Sequence, residues 1–109
     1  MDDILRALSA PTRREILRLV RDDEMTAGAI AARFEVSRPA VSEHLRVLRE
    51  TGLVSERREG VRRWYRARPE RLDQVRAYLD QFWRDSLEDL RLAAEAEQNA
   101  QREASSGAA

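Results

Sequence analysis

The sequence has no cysteine, which excludes disulfides, thiolate metal sites, iron–sulfur ligation and thiol redox chemistry together. Histidine occurs once, as His44, so no second imidazole is present for a metal pair or a proton relay. A Gly-rich phosphate loop is missing, and the serines and acids lack the context of a triad. The chain is therefore expected not to be an enzyme and to carry no cofactor or metal. Long apolar runs are missing as well, so neither a membrane span nor a membrane partner is expected. The opening Met1-Asp2-Asp3 is acidic where a secretory signal would be basic, and no apolar stretch follows it. A soluble, cytoplasmic protein is the expectation, with its function resting on oxygen and nitrogen groups.

What is present suits one small domain. The 109 residues are 42% apolar and 37% charged, too rich in aliphatic residues for disorder and too short for two cores. A formal net charge of zero conceals an uneven distribution. Residues 1–32 carry five Arg and six acids, residues 33–71 eleven Arg and six Glu, and residues 72–109 four Arg and eight acids. The middle third is thus a block of net charge +5 between segments of −1 and −4. Each basic residue in it is Arg, whose planar fork suits phosphates and base edges.

Local patterns divide the chain into short elements. Ile4 to Leu8 is apolar-periodic and stops at Ser9-Ala10-Pro11. Pro11 fits the first position of a helix whose apolar face is Ile16, Leu17, Leu19 and Val20. Thr26 is placed to cap a helix running to about Phe34, with Ala27, Ile30, Ala31 and Phe34 on one side. Ser37 is placed to cap another, with Pro39 in its first turn, Val41, Leu45 and Leu48 on its buried face, and a stop at Gly52. The period then changes: Leu53 to Arg58 and Val61 to Ala67 predict two strands bridged by Glu59-Gly60. Pro69 opens the longest segment, a helix expected over about residues 70–97, with a flexible tail over 98–109. The fold class is accordingly mainly α with a small β-hairpin, and residues 1–97 are expected to form one winged helix-turn-helix domain.

Helix length carries a further expectation. About 28 helical residues extend about 42 Å, whereas a globule of this size has a radius of gyration of about 13 Å. The apolar stripe Leu72, Val75, Tyr78, Leu79, Phe82, Trp83, Leu87 and Leu90 therefore predicts a two-fold homodimer interface, its first turns covering the chain's own domain.

A helix, a tight turn, a second helix and a basic hairpin describe a winged helix-turn-helix. In that reading Ala31 permits close helix approach, and Val36 and Val41 lock the crossing. The opposite face of the second helix, with Ser37, Arg38, Pro39, Ser42, Glu43 and Arg46, is free to enter a major groove. Amides near Ser37 and Arg38 suit a phosphate, and Ser42 and Arg46 suit base edges. Glu43 is placed either to accept from a cytosine amine or to repel wrong registers. Arg57, Arg58, Arg62 and Arg63 surround Gly60 on the hairpin, where phosphate or minor-groove contact is expected. Strand alternation divides them between two faces.

Two runs carry a family resemblance: Leu8-Ser9-Ala10-Pro11-Thr12-Arg13-Arg14-Glu15-Ile16-Leu17, and Val36 through Val54 with its Ser37-Arg38-Pro39-Ala40-Val41-Ser42-Glu43-His44-Leu45 core. Together they resemble the ArsR/SmtB family of bacterial winged-helix transcriptional repressors, over about residues 4–95. The resemblance implies a homodimer joined through its terminal helices, bound to an imperfect palindrome in double-stranded DNA and repressing until a signal intervenes. In metal-sensing members, ligands lie as cysteines on the helix matching Thr26–Phe34 or as Asp and His on the last helix. Here Ala29, Ala31 and Ala32 stand at the first place, and the last helix lacks His. The run Tyr78-Leu79-Asp80-Gln81-Phe82-Trp83 is similar instead to a metal-free branch, for which the resemblance names no inducer.

Remaining residues have plainer readings. His44 lies beside the buried face and is expected to be structural or near DNA. Asp85, Glu88 and Asp89 are expected to be a solvated carboxylate face, Trp64 and Tyr65 to anchor the wing, and Trp83 to be interface core. The rival reading is a winged-helix module that binds an acidic protein partner through the Arg block.

Overall fold

Pro11 and the two arginines after it explain how the chain turns its first corner. In the computed structural model, which describes residues 1–107, Asp2–Leu8 form α1 and Pro11–Leu19 form α2, with Pro11 at the helix start. Carbonyls at the end of a helix have no partner within it. Arg13 donates through Nε to the Ala7 carbonyl at 2.7 Å and through Nη2 to that of Arg6 at 3.1 Å. Arg14 reaches the Leu8 and Ser9 carbonyls at 2.9 and 3.2 Å. Two guanidiniums from α2 thus cap α1 and fix its approach.

Met25–Thr26 form a short strand, β1, and Ala27–Ala31 form α3, with the Thr26 hydroxyl accepting from the Ala29 amide at 3.1 Å. This helix stops three residues before the expected Phe34. Its end tightens instead: Arg33 and Phe34 amides donate to Ile30 and Ala31 carbonyls three residues back, at 3.0 and 3.2 Å. Arg38–Glu50 form α4, where the Ser37 hydroxyl accepts from the Ala40 amide at 3.3 Å. Its C-terminal end is a Schellman motif around Gly52, which has φ +75°. Leu53 N–H bonds to the Leu48 carbonyl at 2.9 Å and Gly52 N–H to that of Arg49 at 3.0 Å. Leu53 is consumed by that motif, so β2 begins one residue later than expected, as Val54–Glu59.

Arg62–Ala67 form β3, and the three strands lie antiparallel in the order β1-β3-β2. Glu59 pairs with Arg62, so the loop is Gly60-Val61 rather than the expected Glu59-Gly60. Gly60 takes φ +61°, the positive value that the first residue of a two-residue hairpin loop readily requires. Val61, expected inside the second strand, sits fully exposed at the tip. Strand β1 was not foreseen: two residues carry no readable alternation, and only their pairing with Trp64 and Tyr65 defines them.

Ile4, Ile16, Val20, Ile30, Val41, Leu48 and Leu53 are completely buried and meet in one core with Leu45, Val54, Tyr65 and Val75. Each such aliphatic side chain contributes roughly 1.5–3 kcal/mol through burial. Val36, expected to help lock the helix crossing, is 45% exposed, whereas Val41 is completely buried. The turn holds Val36 outside the helical period that would have pointed it inward.

Pro69–Gly107 form α5. Leu72 and Val75, expected on the seam between two chains, pack against the chain's own core. Helix continues ten residues past the expected end at Glu97. Gln98 to Ala104 contain good helix formers and neither Gly nor Pro, so propensity sustains the helix without an apolar face. The last two residues of the expected tail, Ala108 and Ala109, lie outside the described residues. Two compact units can be distinguished, residues 1–75 and the residues from Arg76 onward. In the second, Tyr78, Leu79, Phe82, Trp83, Leu87, Leu90 and Leu92 are exposed, with Phe82 and Trp83 edge to face at 5.7 Å. Among the described residues no helix is long and apolar enough to cross a membrane.

Candidate nucleic-acid interface

Helix α4 buries Val41, Leu45 and Leu48, and its 3.6-residue period therefore turns Arg38, Pro39, Ser42, Glu43, Arg46 and Arg49 outward. Beside it the hairpin of β2 and β3 stands as a wing. The two enclose a concavity lined by those α4 residues, by Thr26, Ala27 and Gly28, and by Val61, Arg62, Arg63 and Tyr65 of the wing. Six of the expected recognition and wing residues thus share one hollow with Arg38: Pro39, Ser42, Glu43, Arg46, Arg62 and Arg63. Ser37 serves as the cap of α4.

The other two wing arginines are placed differently. Arg57 faces Trp64 across the ladder, with its guanidinium 5.6 Å from the indole centroid, and pairs with Glu24 at 2.8 Å and Glu59 at 2.9 Å. These hydrogen bonds, Glu24 foremost, raise its pKa further. Arg58 lies opposite Arg63 and donates to Glu56 at 3.4 Å. Neither lines the concavity. Tyr65 anchors the wing as expected, buried in the core with its hydroxyl 3.3 Å from Glu56. Burial, then the Glu56 charge, pushes its phenol pKa up.

Electrostatics on α4 are more constrained than the sequence suggested. Arg46 is clasped by Glu43, at 2.5 and 2.9 Å, and by Glu50, at 2.7 Å. Hydrogen bonding to Arg46 holds the Glu43 carboxyl below its ordinary range, and the two carboxylates raise the arginine. Glu43 therefore has a partner within its own helix, in addition to either role expected for it. The Glu43-x-x-Arg46-x-x-x-Glu50 spacing is a signal from which this could have been read. Arg49 is a further residue of the hollow that sequence reasoning missed; it pairs with Glu56 at 2.6 Å, across the Gly52 corner where no periodicity connects the two. Among the described residues, Arg38 and Arg62 make no ion pair. All the cations on this face are arginines.

His44 sits behind this face. Its Nδ1 lies 3.3 Å from Arg13 Nη1, which makes Arg13 a bridge from the end of α1 to α4. Burial, then the Arg13 charge, lowers the imidazole pKa, against a smaller opposing effect of Glu43. In α5, Asp85 accepts from Gln81 at 2.9 Å, and Glu88 pairs with Arg91. Among the described residues no group of three or more His, Asp and Glu converges as a metal cage.

A capped helix pair, a groove-facing helix and an arginine-bearing wing define a winged helix-turn-helix of the DNA-binding kind. Residues 10–56 match the family described as bacterial regulatory protein, arsR family. The chain is 41% identical over 86 residues to the HTH-type transcriptional regulator Rv2034 of Mycobacterium tuberculosis, covering 79% of this chain and 80% of that protein. It is 43% identical over 60 residues to the transcriptional repressor SdpR of Bacillus subtilis, covering 55% and 67%. A solved structure of a possible transcriptional regulator for arsenical resistance superposes with a TM-score of 0.70 at 46% identity, covering 85% of this chain and 95% of that one. The chain belongs to the arsR family. It is a DNA-binding transcriptional regulator and not an enzyme, and its sequence lacks the Cys and His clusters of metal-sensing members.

Proposed function

We propose that the protein represses transcription as a homodimer bound to a palindromic operator. Helix α4 enters the major groove with Pro39 in its first turn, where Ser42 and Arg46 contact base edges, Glu43 shapes their choice, and the amides near Ser37 and Arg38 meet a phosphate. Arg62 and Arg63 contact the backbone from the wing, with Arg57 and Arg58 in supporting positions. The observation that carries this reading is the shared concavity of α4 and the wing, with Arg38, Arg46, Arg62 and Arg63 around it. Repression is supported by the name of the similar SdpR protein. Dimerisation is supported by the exposed Tyr78, Leu79, Phe82, Trp83, Leu87 and Leu90 of α5; residues 1–97 then act as one functional domain.

Selection from a random duplex pool, followed by titration across salt and a reporter assay, tests the proposal. A palindromic consensus is expected, with reporter output falling when the protein is present. Arg46→Ala should cost about 1–3 kcal/mol of discrimination at one base position, whereas Arg62→Ala should weaken all duplexes alike and flatten the salt slope. Equal losses on every duplex for Arg46→Ala would remove it from base reading. Recovery of no preferred sequence, together with tight binding to an acidic protein, would favour the interaction-module reading instead.

A further inference from the structure

Glu56 is the least exposed acid of the wing, with a side chain only 10% accessible, and it touches both halves of the DNA-facing hollow. From α4, Arg49 reaches it at 2.6 Å. From the wing, Arg58 donates to it at 3.4 Å, Arg63 lies 3.9 Å away, and the buried Tyr65 hydroxyl is 3.3 Å away. Burial alone would raise this carboxyl, but Arg49, then Arg58 and Arg63, outweigh it and keep the group ionised. Three guanidiniums share one carboxylate, so positive charge is left over at the junction. Of these, Arg49 and Arg63 line the hollow from opposite sides.

We propose that Glu56 is a positioning residue for DNA recognition: it ties the wing to α4 and so sets the spacing between the arginines that meet the duplex from each. This rests on the DNA reading of the hollow given above. A carboxylate on a phosphate-binding face opposes DNA by its charge, and its place among three arginines is explained by geometry that the free cations would not hold. Without it, mutual repulsion of Arg49, Arg58 and Arg63 drives the wing away from the helix. Affinity for arbitrary DNA and preference for one sequence are then expected to move in opposite directions.

The test measures affinity for a duplex selected by the wild-type protein and for a shuffled duplex of equal length, at several salt concentrations. Glu56→Gln removes one negative charge from the wing and is expected to bind the selected duplex about tenfold less tightly while binding the shuffled one as well or better. Glu59→Gln makes the same change in net charge, but Glu59 is an exposed partner of Arg57, outside this junction; it should tighten both duplexes alike. Glu56→Asp preserves charge and shortens the reach to Arg49, and should shift preference in the same direction as Glu56→Gln. The proposal is overturned if Glu56→Gln behaves like Glu59→Gln, or if Glu56→Asp matches wild type. Should Glu56→Gln lose its cooperative thermal melt, Glu56→Asp alone decides. A wild-type protein without preference between the duplexes would end the DNA reading first, and this inference with it.

Discussion

Arg46 comes to the groove-facing surface already engaged, with Glu43 one turn before it and Glu50 one turn after. Exposed pairs of this kind hold a side chain in place without holding it tightly, so a base edge can take over the guanidinium at small cost. His44 is a different case, because its surroundings act on stability. In the unfolded chain its imidazole titrates at about 6.5, whereas burial and Arg13 depress it in the fold. As pH falls through about 6.5 the unfolded chain takes up the proton first, so stability declines until the folded pKa is passed. Above that window the residue makes no difference. His44→Gln should remove this part of the pH slope in urea midpoints, while carboxylate effects near pH ~4 persist; identical slopes in variant and wild type would contradict it. Residue roles were unevenly legible. The outward set on α4 followed from one periodicity, while the Arg13–His44 and Arg49–Glu56 contacts join elements whose meeting no local pattern encodes.

Elements were legible where their signals were local. Thr26 and Ser37 cap the helices they precede, and Gly52 ends α4, because each acts on amides or carbonyls within a few residues. Strand β1 and the exposure of Val36 were not legible, since both depend on what lies across space. Helix α5 runs past its expected end because helix-forming residues sustain it without an apolar stripe over Gln98 to Ala104. Gly52 gives the sharpest prediction at this scale. Alanine there must accept φ +75° and place its Cβ 3.4 Å from Arg71 Cγ. Gly52→Ala is expected to cost roughly 1–2 kcal/mol in chemical denaturation, and Gly52→Asn less, because asparagine tolerates left-handed backbone. An alanine variant as stable as wild type would show that the Schellman turn does not fix this corner.

For the whole molecule, the apolar residues left exposed along α5 set the main constraint. Phe82, Trp83, Leu87 and Leu90 are each more than half exposed in the single chain, and contiguous exposed apolar residues of this kind mark interaction surfaces. Pairing with a second copy is the assembly the proposed palindrome requires, since two-fold protein symmetry matches two-fold operator symmetry. Leu87→Glu should therefore shift the sedimenting species toward monomer and reduce operator affinity at low protein concentration, leaving helical content unchanged. A variant that remains dimeric would move the seam elsewhere. Winged architecture was readable from the sequence as a whole, and so was the apolar stripe with its first turns on the chain's own domain; where the stripe leaves that core, beyond Leu72 and Val75, was not, because periodicity records which face is apolar and not what covers it.

The all-arginine make-up of the concave face also limits how its charge can be altered. A guanidinium stays protonated at every pH at which a protein remains folded, so acidity reaches this surface only through Glu43, Glu50, Glu56 and His44. The sequence contains no lysine, and acyl transfer to a side-chain amine, a common means of loosening proteins from DNA by removing charge, has no side chain here to act upon. Release from DNA by acylation of a side-chain amine is thereby closed to this chain, and the charge of its arginines stays in place while geometry and assembly change.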